Sequence, residues 1–349
     1  MVSKKSLMTG NEAIGEGAVQ AGCDFYAGYP ITPQNELTAY MAKRMAEEDR
    51  IFIQAESELA AINMVFGASA AGARAMTSSS SPGISLKQEG ISYLAGCQLP
   101  CVIVNIMRGG PGLANITPSQ SDYFQATKGG GHGDYRSIVL APSSVQEAFD
   151  LMKAAFKLAD QYRNPVVILA DGMLGQMMEP LLVHRAVNKK KLSTKKWALT
   201  GCRNRKPNVI KSMYLQEGKL EEFNNYLRKK YQEIENSRQC WEDLFLDDAR
   251  IILVAYGSVA RIARSVVKRL RKRGKKIGFI RPISLWPFPK KIFKRIVNDK
   301  QRVSFLVVEM SLGQMLEDVE LSVGGKAKVK FFGRAGGGIP SEEEIIQRL

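Results

Sequence analysis

The segment RIFIQAESELAAINMVFGASAAGARAMTSSSSPG, residues 50–83, indicates the fold class of this chain. An apolar run at residues 50–55 predicts a strand, and the small and apolar residues of 58–71 predict a closely packed helix that Gly72 ends. A second short run at residues 75–78 then leads into a serine-rich loop. Strands that alternate with helices in this way are typical of a parallel sheet.

The same alternation extends on both sides of this segment. Strands are predicted at residues 24–29, 101–107 and 165–170, and helices at residues 31–46, 85–95 and 143–162. In the first of these helices we expect Thr32 to be the cap and Pro33 to occupy the first turn. The pattern therefore predicts an α/β fold with a doubly wound parallel sheet.

From residue 183 the pattern changes, because the apolar runs become short and the charge becomes dense. One exposed helix is predicted there, at residues 216–237. A second α/β unit follows, with strands at residues 250–255, 276–280, 303–308 and 328–332 and a helix at 259–273. We predict three parts: a first α/β domain at residues 1–182, a charged connector at 183–245 and a smaller α/β domain at 246–349.

The composition excludes several classes of protein. With 45% hydrophobic and 24% charged residues among 349, the chain has the average balance of a globular protein. It has no run of about 18 apolar residues and no signal-peptide pattern, so we expect a cytoplasmic protein without a membrane partner. The net charge of +16 favours anionic ligands, but no nucleic-acid-binding pattern accompanies it, so no nucleic-acid partner is predicted.

The five cysteines do not form a metal-binding pattern. Only Cys97 and Cys101 are close in sequence, whereas iron–sulfur ligation normally needs four clustered thiolates. We therefore expect neither an iron–sulfur cluster nor another metal site in this chain.

Three loops rich in Gly, Pro or Ser follow predicted strands: GYPITP at residues 28–33, SSSSPG at 78–83 and RGGPG at 108–112. In an open parallel sheet, ligands bind at the carboxyl ends of the strands, and a serine-rich loop before a helix offers donors to an anion. Ordinary turn chemistry explains any one such loop. Three loops on one edge, with Arg108 in one of them, favour a binding site.

Two acids, Glu56 and Glu58, lie at the start of the helix predicted at residues 58–71. Acidic residues at a helix N-terminus interact favourably with the helix dipole by ~0.3–1 kcal/mol, and this role is sufficient to explain both. A carboxyl group at the head of a buried helix is also suited to hydrogen-bond a ligand. The pattern alone does not choose between the two glutamates.

Several segments, in order along the chain, point to a known family. They are GYPITP (28–33), QAESELAAINMVFGASAAGARAMTSSSSPG (54–83), MRGGPG (107–112), KGGGHGD (128–134), RPISLWPFP (281–289) and VVEMSLGQM (307–315). Together they resemble the pyrimidine-binding (alpha) subunit of the 2-oxoacid:ferredoxin oxidoreductases, and are most similar to the 3-methyl-2-oxobutanoate (ketoisovalerate) type. The resemblance covers essentially the whole chain.

The resemblance implies a thiamine diphosphate-binding fold of the pyrimidine type, with a second domain similar to the C-terminal domain of transketolase. It also implies oxidative decarboxylation of branched-chain 2-oxo acids to acyl-coenzyme A, with electrons passed to ferredoxin. The alternatives are a 2-oxoglutarate- or pyruvate-type enzyme, and, from another class, a non-catalytic α/β partner subunit.

The resemblance also assigns a catalytic residue. In this family a glutamate bonds the aminopyrimidine ring nitrogen of the cofactor and promotes the imino tautomer that activates the thiazolium carbon. Counted back from the Gly67-x-x-x-x-Gly72 pair, that glutamate falls on Glu58 and not on Glu56.

Two loops carry the remaining residues that the resemblance implies. Thr32, with Pro30 and Ile31 beside it, corresponds to the family's cofactor-binding loop, and Thr32 also lies near the substrate. Arg108 corresponds to the arginine that pairs with the substrate carboxylate, a role suited to a planar fork with two donors.

Other residues near these loops have two interpretations each. After Arg108 the sequence GGPGLANITPSQSD departs from the pyruvate enzymes, so Gln120 and Asp122 either line the pocket or belong to a surface loop. His132, in GGGHGD, is either a loop residue or a proton relay or contact at a subunit interface.

A missing motif indicates that the active site is shared. Thiamine diphosphate enzymes hold the diphosphate through magnesium on a GDG motif, whereas residues 170–172 read ADG. The resemblance therefore implies that a beta subunit holds the diphosphate and Mg²⁺, and that gamma and ferredoxin-like subunits complete the complex, with [4Fe-4S] clusters in partner subunits only. We expect the chain to act only in such a hetero-oligomer, with coenzyme A and ferredoxin as further partners.

Overall fold

The computed structural model describes residues 4–183, 195–299 and 302–349. The strands are β1 (Lys4–Thr9), β2 (Phe25–Gly28), β3 (Ile51–Gln54), β4 (Ala75–Ser79), β5 (Cys101–Met107), β6 (Ile138–Leu140), β7 (Pro165–Asp171), β8 (Met178–Val183), β9 (Trp241–Leu244), β10 (Ile251–Val254), β11 (Ile277–Pro282), β12 (Ser284–Trp286), β13 (Ser304–Glu309) and β14 (Lys328–Gly333). The helices are α1 (Gly10–Gln20), α2 (Asn35–Glu47), α3 (Glu58–Ala70), α4 (Ser81–Gly96), α5 (Tyr123–Lys128), α6 (Val145–Tyr162), α7 (Gly172–Gln176), α8 (Lys219–Ser237), α9 (Gly257–Arg271), α10 (Lys290–Asp299), α11 (Gln314–Val323) and α12 (Glu342–Ile346). The first part of the predicted connector, residues 184–194, lies outside the described residues.

The first sheet has seven strands in the order β12-β6-β7-β5-β4-β2-β3. Its strands are parallel apart from β12, which pairs antiparallel with β6. The central strands β4, β5 and β7 are buried along their whole length, as expected for a sheet covered by helices. Helices α3 and α4 pack as one pair over β2, β4 and β5, while α1 and α6 form another pair, with α6 against β5 and β7. The predicted α/β fold is confirmed.

A second sheet of five strands, in the order β14-β13-β10-β11-β9, forms the C-terminal unit. Its strands are parallel apart from β9, which pairs antiparallel with β11. A small antiparallel pair, β1 with β8, joins the chain start to the end of the first unit. No helix among residues 4–183, 195–299 and 302–349 has both the length and the apolar character that a bilayer crossing requires.

The two units share one core and a polar contact at their junction. A single cluster of buried apolar side chains includes residues of both sheets, such as Val104 of β5 and Ile252 of β10. Beside it, the buried Asp171 at the end of β7 accepts hydrogen bonds from the backbone N–H and the hydroxyl of Ser258, at 3.2 and 2.6 Å. Burial raises the pKa of Asp171, and these hydrogen bonds oppose the shift. The aspartate of the ADG sequence therefore joins the two units.

Two sequence-based expectations about elements were wrong, and one edge strand of the first sheet was missed. Helix α2 begins at Asn35, so Thr32 is not its cap and Pro33 lies in the preceding loop. Helix α4 begins at Ser81, four residues before the predicted start, because Pro82 occupies its first turn. Strand β12 was not predicted, and it takes its place at the edge of the first sheet although it lies in the C-terminal part of the sequence.

Candidate functional site

The three predicted loops meet at one edge of the first sheet. Strands β2, β4 and β5 are adjacent and parallel, so the loops that follow them leave from the same edge. The first of these loops exposes Pro30, while Ile31 and Thr32 are partly buried. A buried amide holds the end of this loop, because Asn11 donates to the carbonyl oxygen of Pro33 at 2.8 Å.

Glu58 is the first residue of α3, and it is only 6% exposed. Ser57 caps the helix by accepting a hydrogen bond from the backbone N–H of Ala60 at 3.1 Å, which places Glu58 in the first turn. Its carboxylate makes no hydrogen bond within the part of the chain that the structure describes. Glu56, two residues earlier, is exposed. The structure therefore presents one of the two candidate carboxylates, Glu58, buried and ready for a ligand.

Gly83, in the first turn of α4, lies directly against this carboxylate. A Cβ atom at Gly83 would be 2.6 Å from Glu58 Oε1 and 2.1 Å from Ser79 Oγ. Both distances are shorter than any real Cβ contact, so only glycine lets α4 approach Glu58 this closely. The position of the Glu58 carboxylate thus depends on the absence of a side chain at Gly83.

The serine-rich segment contains two buried hydroxyl groups that have no partner. Ser79 Oγ and Ser80 Oγ are inaccessible and make no hydrogen bond within the described residues. Ser78, by contrast, is fully bonded, since its hydroxyl donates to Gln34 Oε1 at 2.7 Å and lies 2.6 Å from the hydroxyl of Tyr26. Buried polar atoms are nearly always paired, so these two orphan hydroxyls, of which Ser79 Oγ lies beside Gly83 and Glu58, indicate a binding site.

Arg108 connects the loops after β2 and β5. Its Nη1 donates to the carbonyl oxygen of Thr32 at 3.0 Å, and its Nη2 is 3.4 Å from the carbonyl oxygen of Leu113. Its Nε is buried and has no partner among the described residues. The structure therefore brings together two residues predicted from the sequence, Thr32 and Arg108. Both Nη atoms of the arginine, however, already bond backbone carbonyl oxygens.

Asp122 holds the beginning of α4 in place. Its Oδ2 accepts hydrogen bonds from Ser81 Oγ at 2.6 Å and from Asn105 Nδ2 at 2.9 Å. Burial raises the pKa of Asp122, and these two hydrogen bonds oppose the shift. Since Ser81 and Gly83 share one helical turn, Asp122 supports the position of the glycine that contacts Glu58.

Gln120 is fully buried at the junction of the two units, so it does not belong to a surface loop. Its Nε2 donates to the carbonyl oxygen of Tyr256 at 2.9 Å, and its Oε1 accepts from the backbone N–H of Met310 at 2.9 Å. Gly337 of the C-terminal glycine-rich loop lies against Thr117 in the same region. This part of the loop after Arg108 is therefore a docking segment for the C-terminal unit.

Lys87 is the residue of this region that the sequence did not reveal. It lies on α4 one turn after Gly83, it is fully buried, and its Nζ donates to Thr77 Oγ1 at 2.6 Å. Burial lowers the pKa of Lys87 to about 7, while the charge of Glu58 opposes this shift. Its spacing of four residues from Gly83 places it on the same face of α4, but that spacing acquires a meaning only once the packing of α3 against α4 is known.

Two further predictions concern His132 and metal ligands. His132 is exposed, and its ring meets that of Tyr93 edge-on at 6.1 Å. Across residues 4–183, 195–299 and 302–349, no three His, Cys, Asp or Glu side chains come together as metal ligands.

Comparison with known proteins gives consistent similarities. Residues 16–243 match the family described as pyruvate flavodoxin/ferredoxin oxidoreductase, thiamine diphosphate-binding, and residues 249–345 match the pyruvate:ferredoxin oxidoreductase core domain II. Ketoisovalerate oxidoreductase subunit VorB of Methanothermobacter thermautotrophicus is 50% identical over 98% of this chain and 96% of its own length. 2-Oxoglutarate synthase subunit KorA of Archaeoglobus fulgidus is 39% identical over 94% of each chain.

Two solved structures are similar to this fold. The 2-oxoglutarate:ferredoxin oxidoreductase of Magnetococcus marinus, with 2-oxoglutarate, coenzyme A and succinyl-CoA bound, superimposes with a TM-score of 0.87 at 26% identity. The match covers 99% of this chain and 65% of that one, so this chain spans just under two thirds of its length. A split-gene transketolase matches with a TM-score of 0.58 at 14% identity, over 97% of this chain and 96% of its own. That second likeness concerns the fold alone.

Proposed function

The chain belongs to the pyruvate flavodoxin/ferredoxin oxidoreductase family, and we propose that it is the pyrimidine-binding subunit of a thiamine diphosphate-dependent 2-oxoacid:ferredoxin oxidoreductase. The observation that carries this proposal is Glu58. A buried carboxylate without a hydrogen bond in the described residues is costly unless a ligand supplies a partner. A ring nitrogen that shares a proton with the carboxylate is such a partner.

The residues around Glu58 fit an aminopyrimidine ring. Gly83 leaves out the side chain that would otherwise collide with the carboxylate. The orphan hydroxyls of Ser79 and Ser80 offer donors and acceptors to polar substituents on a ring. When bound, thiamine diphosphate supplies the nucleophilic carbon and the electron sink for decarboxylation of a 2-oxo acid.

We assign the following roles to the residues of this chain. Glu58 holds a proton opposite the ring nitrogen and is the catalytic residue, while Pro30, Ile31 and Thr32 line the cofactor site. Arg108 fixes the Thr32 loop through its Nη1 and offers the other N–H donors of its charged guanidinium to the substrate carboxylate. The orphan Nε of Arg108 supports this role, because it is a donor without an internal acceptor in the described residues.

The substrate that we propose is a branched-chain 2-oxo acid. The identity of 50% to a ketoisovalerate oxidoreductase subunit, against 39% to a 2-oxoglutarate synthase subunit, supports this choice. Coenzyme A as acyl acceptor is supported by its presence in the related 2-oxoglutarate enzyme. A 2-oxoglutarate or pyruvate specificity is the alternative outcome of the test below.

The complex that we propose contains further subunits. A beta subunit holds the diphosphate and Mg²⁺, and gamma and ferredoxin-like subunits carry the [4Fe-4S] clusters that reduce ferredoxin. The name of the VorB relative, a subunit, supports a complex. The division of this chain at residues 1–182, 183–245 and 246–349 is part of the same proposal, and the change of family match between residues 243 and 249 supports the second boundary.

Copurification and a substrate panel test the function. The chain is purified alone and with its partner subunits, and viologen reduction is followed with 3-methyl-2-oxobutanoate, pyruvate and 2-oxoglutarate. We expect no activity from the chain alone and the highest kcat/KM for the branched substrate in the complex. One methylene in an apolar pocket changes kcat/KM by ~10–200-fold, so the ranking is measurable. Activity of the chain alone would refute the shared site, and faster turnover of 2-oxoglutarate would change the substrate class.

A further inference from the structure

The loop that follows Arg108, residues 109–117, is closed at its base and reaches back to the guanidinium. The backbone N–H of Gly109 donates to the carbonyl oxygen of Thr117 at 2.9 Å, which joins the two ends of the loop. In its middle, the carbonyl oxygen of Leu113 lies 3.4 Å from Nη2 of Arg108. The position of the guanidinium therefore depends on the conformation of this loop, which we call the arginine loop.

Asn115 organises the interior of the arginine loop. Its Oδ1 accepts hydrogen bonds from the hydroxyl of Thr117 at 2.6 Å and from the backbone N–H of the same residue at 3.2 Å. Gly109 leaves room for this amide, because a Cβ atom at Gly109 would collide with Asn115 Oδ1. The closed form of the loop thus depends on the Asn115 amide and on the glycine directly after Arg108.

The same amide joins the arginine loop to the C-terminal unit. Asn115 Nδ2 donates to the carbonyl oxygen of Gly336 at 3.1 Å. Gly336 belongs to the C-terminal glycine-rich loop, GRAGGG at residues 333–338. The next residue, Gly337, has a φ of +98°, and a Cβ atom there would collide with the hydroxyl of Thr117. Glycine is therefore needed at this position for the C-terminal unit to approach the arginine loop.

We propose that Asn115 is a positioning residue for Arg108: it ties the arginine loop to the C-terminal glycine-rich loop and so holds the guanidinium where the carboxylate of a 2-oxo acid binds. The C-terminal unit thereby takes part in substrate binding. The substrate binds only those molecules in which the guanidinium is in place, so a loosened loop lowers the apparent affinity by that fraction. This inference rests on the proposed function, because it assumes that Arg108 pairs with the substrate carboxylate.

Steady-state kinetics of the assembled complex test the role of Asn115. Asn115→Ala removes the hydrogen bonds to Thr117 and Gly336. We expect it to raise KM for 3-methyl-2-oxobutanoate by about 10-fold and to change kcat by less than about twofold, because the carboxylate contact is equally strong in the ground state and the transition state. The affinity for thiamine diphosphate, measured by calorimetry without oxo acid, should equal that of the wild type. An unchanged KM would overturn the proposal.

Two readouts separate this role from a general loosening of the fold. In an Arg108→Lys background, Asn115→Ala should raise KM little further, because the planar guanidinium that Asn115 positions is gone. Effects of the two changes that simply multiply would contradict the proposal. The methyl ester of the substrate has no carboxylate charge, so it should inhibit the wild type and Asn115→Ala equally. An inhibition constant that rises as much as KM would show that Asn115 does not act on carboxylate binding.

Gly337→Ala approaches the same contact from the C-terminal unit, and it is the test if Asn115→Ala does not fold. The added Cβ must displace Thr117, so KM for the oxo acid should rise as it does in Asn115→Ala. Gly325→Ala is the matched control, because Gly325 also has a positive φ, +74°, but a Cβ atom there meets nothing within 4 Å. If Gly337→Ala has the same KM as Gly325→Ala, the proposal fails.

Asn208→Ala controls for the loss of a loop amide elsewhere in the chain. Asn208 Nδ2 donates to the carbonyl oxygens of Lys196 and Ala198, at 2.7 and 2.8 Å. This variant should keep the wild-type KM, and a KM raised as much as in Asn115→Ala would contradict the proposal. Failure of the proposed function looks different: that complex reduces no viologen with any oxo acid and does not bind thiamine diphosphate. An active complex in which Asn115→Ala keeps the wild-type KM contradicts the role of Asn115 alone.

Discussion

Replacement of Gly83 by alanine should inactivate the complex while it leaves the chain folded. The added Cβ would be 2.6 Å from Glu58 Oε1, about 0.8 Å closer than the 3.4 Å at which ordinary contact begins, and 2.1 Å from Ser79 Oγ. The backbone of Gly83 does not have a positive φ, so alanine fits the helix itself. Both Ser79 Oγ and the Glu58 carboxylate must therefore move, the carboxylate by about an ångström.

The two consequences of Gly83→Ala differ in size. A misplacement of about 1 Å in a reacting group can cost ~10²-fold in rate, so we expect kcat to fall by about that factor. Overpacking destabilises a fold by ~1–3 kcal/mol, whereas alanine in place of glycine stabilises a helix by ~1 kcal/mol. The free energy of unfolding should therefore fall by less than about 2 kcal/mol.

Gly67→Ala is the matched control for this experiment. Gly67 lies on α3, the helix that Glu58 begins, and a Cβ there meets no atom within 4 Å. Both variants are assembled with the partner subunits and compared by oxo-acid-dependent viologen reduction and by urea denaturation. Gly67→Ala should retain full activity. If Gly83→Ala is as active as Gly67→Ala, then Glu58 is not held where the reaction needs it, and the catalytic assignment fails.

Three further changes test other parts of the structure. Glu58→Gln should lower the rate of viologen reduction by ~10²–10⁴-fold, because a glutamine cannot exchange a proton. Glu56→Gln changes an exposed residue and should leave that rate unchanged. The reverse pattern would assign the catalytic role to Glu56. Gln120→Ala leaves the buried N–H of Met310 without its partner and removes one of the two hydrogen bonds to the carbonyl oxygen of Tyr256, so it should lower the free energy of unfolding by ~1–3 kcal/mol. Urea denaturation that shows no loss would contradict the docking role. The pKa of Lys87 is lowered to about 7 from 10.5, so above pH 7 this residue binds fewer protons in the folded chain than in the unfolded chain. The free energy of unfolding of the wild-type chain should therefore rise, relative to that of Lys87→Met, by ~1.4 kcal/mol per pH unit between pH 7.5 and 9.5. Parallel curves of stability against pH for the two proteins would exclude a lowered pKa.

The sequence by itself determined the strand–helix alternation of the first unit. Strand β5 is found at the predicted residues Cys101–Met107, and α3 begins at the predicted Glu58. These elements depend on local signals: apolar runs, β-branched residues and the glycines or caps that end them. The adjacency of the three loops also followed from the pattern, because parallel strands present their carboxyl ends on one edge.

Only the tertiary structure decided which residues surround Glu58. Gly83 is an ordinary helix residue in sequence, and it lies against Glu58 because α3 and α4 pack against each other. Likewise, Gln120 and Asp171 join the C-terminal unit through partners more than 80 residues away along the chain. A local pattern has no information about such pairs, since the free energy that forms them comes from burial and from hydrogen bonds between distant segments.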